Sequence, residues 1–503
     1  MHKLLVTAIL IVSSFVMSCS PDTVATESDY KISPESIVFS QEGGVQYLTV
    51  QTKNHVSASS DASWCEVAFE ETQSTRVLKF SVKASANNTS DIRTASIKLL
   101  IGGKARETIP VSQQGNSEVT VPPAGGEGTG PIAPDKSGME SDARTLMSKM
   151  HLGINLGNTL EAIGGETAWG APKTTEQIIL YFKELGFNAV RVPCSWDQNL
   201  ESGDGYVVKA SWMRRVKEVI DYIVKNDMYA ILNIHWDGGW LENDIPNGYN
   251  KAVDEQQRAI WTQIAYTFRD YDEHLVFAGT NEPNVENAAH MGTLLKYEQT
   301  FIDAVRATGG RNAYRVLVFQ GPSTDVDKTS QLMNKLPVDT VEGRLAAEVH
   351  YYTPWTFCGL SEDASWGKMM YFWGNDQKNY ATGAYAGLWA SGNNEDYVAK
   401  QMAKMKKKFW DNGIPVIIGE YSVCSQKKCN LGNAEENARA EEGYMKSRAA
   451  FNACVVRESK ANGCVPFYWH CQGDLIDRRT LSVTEQTTYE AIIEAGKTQY
   501  PEK

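Results

Sequence analysis

The feature that most limits what this chain can become is a rhythm of eight short apolar runs. They lie near His151 to Leu156, Ala189 to Val192, Tyr229 to Ile234, Leu275 to Ala278, Arg315 to Phe319, Ala346 to Val349, Pro415 to Ile418 and Cys464 to Tyr468. Continuous apolar runs of this length read as strands buried on both faces, as in a parallel sheet covered by helices. The stretches between them are mostly amphipathic with helical period. That period is clearest in Ala210 to Lys225, Asp254 to Tyr271, Leu294 to Ala307, Tyr397 to Trp410 and Glu435 to Val456, after a helix-like Asp142 to Met150. Eight such alternations predict an α/β fold, a (β/α)8 TIM barrel.

In that barrel all strand carboxyl ends converge on one mouth, so chemistry is sought in the residues just after each run. Run four leads into Gly279-Thr280-Asn281-Glu282-Pro283-Asn284, and run seven into Gly419-Glu420-Tyr421-Ser422. In chain order the ends supply Asn158, Arg191, His235, Glu282, Gln320, His350 with Tyr352, Glu420 and Trp469. Taken singly, a strand-end arginine is commonly an ion-pair residue and a histidine a structural one. Packing alone does not put charged or hydrogen-bonding groups at nearly every end, and two carboxylates at two ends suggest glycoside hydrolysis. Glu348 shares a strand face with His350 by alternation and reads as barrel interior without a catalytic role.

Gly153-Ile154-Asn155-Leu156-Gly157-Asn158-Thr159, Arg191-Val192-Pro193, Asn233-Ile234-His235, Asn281-Glu282-Pro283, His350-Tyr351-Tyr352 and Gly419-Glu420 resemble, in order, the motifs of glycoside hydrolase family 5. The opening Asn-Leu-Gly-Asn-Thr and the phrase His-Tyr-Tyr-Thr-Pro-Trp are similar to subfamily 4. The resemblance runs from about Met139 to Tyr500. It implies a retaining enzyme with Glu282 as acid/base and Glu420 as nucleophile, their carboxyl groups ~5–5.5 Å apart. At an effective dielectric near 20, two charges that close repel by about 3 kcal/mol, so one carboxyl should keep its proton at neutral pH. That one is expected to be Glu282, because Arg191 and a hydrogen bond from Tyr352 favour an ionised Glu420. Asn281 would hold the 2-hydroxyl of the cleaved sugar, and His235 and His350 neighbouring hydroxyls or carboxylates. Trp469 would be the platform for that sugar, with Asn158 reaching the next one outward. No cofactor and no metal are expected.

Within this reading cellulose, mixed-linkage glucan, mannan and xyloglucan are all open as substrates, and the subfamily resemblance puts xyloglucan first. A metal-dependent hydrolase using His235 and His350 is disfavoured, because there are only two strand-end histidines and no His-x-His after strand one. A non-catalytic glycan-binding lipoprotein is disfavoured by the presence of both glutamates. The long segment Trp355 to Glu395 carries nine aromatic side chains. It is too rich in them for disorder, and is expected to form a cleft wall with some rings on the substrate.

At 503 residues the chain needs more than one core. From Ile32 to Gln114, β-type runs alternate with Gly, Asn and Ser turns, which predicts a small immunoglobulin-like sandwich over 32–115. The pattern Ser63-Trp64-Cys65, Arg93-Thr94-Ala95 and Ile109-Pro110-Val111-Ser112-Gln113-Gln114-Gly115 resembles a BACON module, a family associated with carbohydrate binding. With few aromatics and Trp64 at a core position, the module reads here as a spacer. A Pro/Gly-rich linker over 116–138 separates it from the barrel domain, 139–503; as a coil it would reach about 25 Å.

Residues 1–18, with Lys3 and the apolar run Leu4 to Val16, form a signal peptide too short to span a bilayer. Val16-Met17-Ser18-Cys19 resembles a bacterial lipobox, which implies acylation of Cys19 and a surface-exposed outer-membrane lipoprotein held by its lipid alone. The net charge of −12 disfavours nucleic acid and anionic lipid surfaces but not a neutral polysaccharide. A monomer is expected. The other eight cysteines show neither C-x-x-C nor metal-ligand spacing; buried thiols are expected, with a Cys424–Cys429 disulfide as the alternative.

Overall fold

The computed structural model describes residues 30–34, 36–39, 43–74, 77–87, 93–113, 131–203, 205–423, 427–471 and 473–502. The signal peptide, Cys19, Cys424 and the first part of the linker lie outside them. Two compact units divide the chain between Glu118 and Val119.

The amino-terminal unit has eight strands: β1 (Tyr30–Ser33), β2 (Ile37–Phe39), β3 (Gly44–Thr52), β4 (Val56–Ser60), β5 (Cys65–Ser74), β6 (Val77–Ala84), β7 (Arg93–Ile101) and β8 (Lys104–Gln113). They form two four-stranded sheets, β1-β3-β6-β5 and β2-β8-β7-β4, around a core that includes Leu48, Val50, Phe80, Val82, Ile97 and Leu99. Alternation explains the core: in β7, Ala95, Ile97, Leu99 and Ile101 point inward from every second position. Trp64 is half-buried under the guanidinium of Arg93, 4.4 Å from its ring centroid, so it is no open platform. Of the exposed rings, Tyr47 lies beneath the Lys79 ammonium. Phe69 pairs with the buried Phe80 and so belongs to the opposite face of that sheet.

The second unit is the expected closed parallel barrel: β9 (Gly153–Asn155), β10 (Ala189–Val192), β11 (Tyr229–Asn233), β12 (Leu275–Ala278), β13 (Leu317–Gln320), β14 (Leu345–Val349), β15 (Val416–Tyr421) and β16 (Cys464–Tyr468), with β16 pairing β9. Helices follow the strands, from Glu176–Glu184 to Gln486–Ala495. Alternate residues face the helices: Val190, Leu232, Phe277, Phe319 and Val349 join the large outer core. The inward set is graded. Ala189, Ile231, Val276, Val318, Ala346, Ile417 and Val465 make an apolar lower layer, which packs with Leu146 and Met147 of the helix Ala143–Lys149. Two residues further along come Asn155, Arg191, Asn233, Gln320 and Glu348, a largely polar layer under the mouth that Ala278, Gly419 and Phe467 complete on the other three strands.

Two expectations need correction. Residues 131–138 are not free coil: the Ile132 and Asp135 amides donate to Thr308 and Gly310 carbonyls on the barrel. Most rings of the aromatic segment after β14 pack inward, and of those expected on the cleft Trp355 stays exposed, edge-on to Tyr352 with 5.8 Å between centroids. Tyr371, Phe372 and Tyr385 are buried in a small core with Ala440 of the helix Ala434–Ala461, and Trp373 and Phe357 in the main core. Burying rings of this size contributes about 1.5–3 kcal/mol each, more than exposing them to an intermittent ligand offers. Trp355 and Trp366 are its exposed large rings. The seven described cysteines are free thiols, and five of them are buried.

Candidate active site

Glu282 follows β12 and Glu420 lies near the end of β15, where the register with β16 shifts between Ile418 and Tyr421. A bulge of this kind re-aims a side chain, here the carboxylate at the mouth. The Tyr351 amide donates to the Glu420 carbonyl at 2.8 Å and fixes the backbone. An oxygen of Glu282, an oxygen of Glu420 and a ring nitrogen of His350 lie within 4.8 Å of one another. The Glu282 side chain is 47% exposed to the cleft, that of Glu420 only 7%. His235, Trp236, Glu242, Asn243, Asn281, Asn284 and Ser323 line the same cavity of about 380 Å³.

Arg191, wholly buried in the polar layer, organises the floor. Its Nη1 donates to Glu420 Oε1 and Asn155 Oδ1, both at 3.0 Å, and its Nη2 to Asn281 Oδ1 at 2.8 Å. Its Nε lies 2.9 Å from Glu348 Oε1. Tyr352 donates to Glu420 Oε2 at 3.0 Å; burial, then the charges of Glu420 and Glu282, push its hydroxyl well above the ordinary value, so it stays a donor. Glu348 is interior, as its strand face implied, and it joins Arg191, Gln320 Nε2 (2.6 Å) and His350 Nε2 (3.3 Å) in one network.

His350 meets carboxylates, as expected. Its Nδ1 is 2.7 Å from Glu282 Oε1 and 3.7 Å from Glu420 Oε2. Burial disfavours its cation, but Glu420, Glu282 and Glu348 outweigh that and raise it to about 10. Burial likewise raises Glu282, yet the hydrogen bond and charge of His350, backed by Arg191, leave its carboxyl below the ordinary value. Burial lifts Glu420, with His350 and Arg191 pulling back only in part. These directions reverse the expectation for both carboxyls: Glu282, not Glu420, is the one held toward its ionised form, with the cation-favouring ring of His350 one hydrogen bond away. Positive charge is already supplied to the one group among the described residues, Glu282, His350 and Glu420, whose atoms are spaced to hold a cation.

His235 is neutral, held well below its usual range by burial first and then by Arg191 and His350. The Asn233 amide reaches its Nδ1 at 3.3 Å, which leaves Nε2–H as donor. Its ring stacks on Trp469, centroids 5.6 Å apart and planes 6° from parallel. Asn158 follows β9 in the left-handed region at φ 59°, an uncommon conformation for a non-glycine. Its amide and that of Thr159 donate to the carboxylate of Glu161. The sequence reading missed Glu161, Trp236 and Glu242. Burial, then the charge of Glu282, pushes the Glu242 carboxyl up to about 8. Glu161 and Glu242 are not strand-end residues, and no spacing in the chain marks them.

Comparison with known proteins agrees with this geometry. The family described as Cellulase (glycosyl hydrolase family 5) matches residues 155–474, and the BACON family matches residues 54–114. A xyloglucan-specific endo-β-1,4-glucanase of Bacteroides ovatus is 31% identical over 491 residues, covering 94% of this chain and 92% of the relative. The solved structure of a Bacteroides ovatus GH5 xyloglucanase with an XXXG heptasaccharide superposes with a TM-score of 0.65 at 30% identity, over 93% of this chain and 99% of that one. A GH5 xyloglucan-specific β-1,4-glucanase from a ruminal metagenomic library, in complex with XXLG, gives 0.62 at 35% identity, over 72% and 99%. With most of the barrel inside the family match and a relative aligned along nearly the whole of both chains, the chain belongs to glycosyl hydrolase family 5 and is a glycoside hydrolase.

Proposed function

We propose that this enzyme is a retaining endo-β-1,4-glucanase acting on xyloglucan, with Glu420 as nucleophile and Glu282 as acid/base. The observation that carries the chemistry is the approach of a Glu282 oxygen to a Glu420 oxygen within 4.8 Å. Inverting enzymes need ~6.5–9.5 Å between carboxyl groups to hold a water. Glu282, having taken the proton that His350 Nδ1 shares with it, protonates the leaving glycosidic oxygen while Glu420 attacks the anomeric carbon. The ester so formed has lost the charge of Glu420, and Glu282 then takes a proton from the incoming water. Asn281, whose Oδ1 accepts from Arg191 Nη2, is assigned the sugar 2-hydroxyl. Trp469 with His235 behind it offers a flat face to the same sugar, and Asn158 serves the next one.

Xyloglucan is favoured because the relatives of similar architecture named above act on it. Hydrolysis rates on xyloglucan, cellulose, mixed-linkage glucan and mannan test this: xyloglucan should lead by at least about tenfold, ~1.4 kcal/mol on the transition-state scale. A mannan or cellulose preference would replace the assignment.

The reading includes a monomer tethered to the outer membrane through acylated Cys19, supported by the Val16 to Cys19 lipobox. Cys19→Ala should free the protein from the membrane fraction; continued sedimentation with membranes would rule the tether out.

A further inference from the structure

The main-chain amides of the loop carrying Glu282 converge on one residue, two of them on its side chain. Asn281, Glu282, Pro283 and Asn284 possess three main-chain N–H groups between them, since proline has none. All three go to Glu242. Its Oε1 accepts from the Asn281 amide at 3.0 Å and from the Glu282 amide, and its backbone carbonyl accepts from Asn284 at 3.4 Å. Glu242 is 4% exposed and lines the cleft beside Glu282. Its own loop is fixed independently. Asp237 accepts from the Asp197 amide with both oxygens and from Trp240 Nε1 at 2.9 Å, and Leu241 and Ile245 are buried on either side.

We propose that Glu242 is the positioning residue of the acid/base: it anchors the Asn281–Asn284 backbone so that the Glu282 carboxyl meets His350 on one side and the leaving oxygen on the other. The proposal rests on the reading of Glu282 as acid/base. Side chain and main chain of one residue take every N–H of the loop on both sides of a proline, and the Pro283 carbonyl accepts from the Ser323 amide at 2.8 Å. General acid catalysis contributes typically 10²–10⁴-fold, and an error of about 1 Å in placement costs of order 10²-fold. Loss of this anchor should therefore appear in kcat, and above all for substrates whose leaving group needs a proton.

The test compares Glu242→Ala, Glu242→Gln and Glu282→Ala on the polymer and on 2,4-dinitrophenyl β-cellobioside, whose leaving group needs no acid. Glu242→Ala should lower kcat on polymer by about 10²-fold with KM within about twofold. The pre-steady-state burst of dinitrophenolate should remain near the parental rate and precede a slow deglycosylation that azide accelerates. Glu242→Gln keeps an acceptor oxygen and should recover most of the lost kcat. Polymer activity of Glu242→Ala within threefold of the parent would overturn the proposal, as would equal losses on both substrates, the mark of general unfolding. If Glu282→Ala itself fails to give the burst and azide response, the acid/base assignment is at fault rather than the role of Glu242.

Discussion

Nδ1 of His350 stands 2.7 Å from Oε1 of Glu282, while Nε2 of the same ring is 3.3 Å from Oε1 of buried Glu348. One imidazole thus joins the cleft to the floor of the barrel, with a proton that has two homes. Water around the half-exposed Glu282 and the cation beside it favour the ionised carboxyl. In the proposed mechanism, a sugar that displaces this water would disfavour that charge and draw the proton from Nδ1 to the carboxyl that serves as acid.

The same pairing makes stability depend on pH. His350 is raised from an unfolded value near 6.5 to about 10. Its contribution is therefore fully present below pH 6.5 and is lost as the pH climbs through 10. Urea unfolding of the parent and of His350→Asn at about pH 6 and about pH 9.5 should show the parent's advantage shrinking at the higher pH. An advantage that stays constant would mean that His350 keeps its unfolded value in the folded protein.

Glu420→Ala should abolish turnover, and azide should restore activity with a product of inverted configuration, because azide attacks where the nucleophile stood. After inactivation of the parent enzyme by a 2-fluoro glycoside, mass spectrometry should find the label on the peptide containing Glu420. NMR should show first-formed product of retained configuration. A label on Glu282 would reverse the two roles.

Gly419 is required for space. A Cβ there would lie 1.9 Å from Glu348 Oε1, the atom that meets both Arg191 and His350. Gly419→Ala must displace Glu348 and with it Arg191, which orients Glu420 and Asn281. The expected loss in kcat/KM is about 10²-fold, from misplacement rather than from any lost contact with substrate. Parental kinetics would show that the floor yields without cost.

Phe372 and Trp236 separate packing from binding. Phe372 is fully buried in the small core after β14, so Phe372→Ala should cost about 3–5 kcal/mol in denaturant unfolding with KM little changed. Trp236 is 44% exposed and lines the cleft, so Trp236→Ala should leave Tm near the parental value and raise KM for the polymer about tenfold, ~1.4 kcal/mol of lost ring contact. The reverse pattern would mean that the segment after β14 does contact the polysaccharide.

The barrel, the order of its strands and the presence of two carboxylates at strand ends were all legible in the chain. These are local matters: a run of apolar residues makes a buried strand, and the residue after it must emerge at the mouth. Val276 to Ala278 and Ile417 with Ile418 needed no distant partner to be legible, and Glu282 and Glu420 followed from them. Where the proton rests and what holds each carboxyl in place emerge only from the assembled fold. Glu282 meets His350 across 68 positions of chain and takes its backbone anchor from Glu242 across 40. Arg191 reaches Glu420 across 229. A charge is set by all neighbours in space, and no periodicity records them. The aromatics of Trp355 to Glu395 show the same limit, because a ring that packs inward and a ring that faces a sugar have identical local sequence signatures.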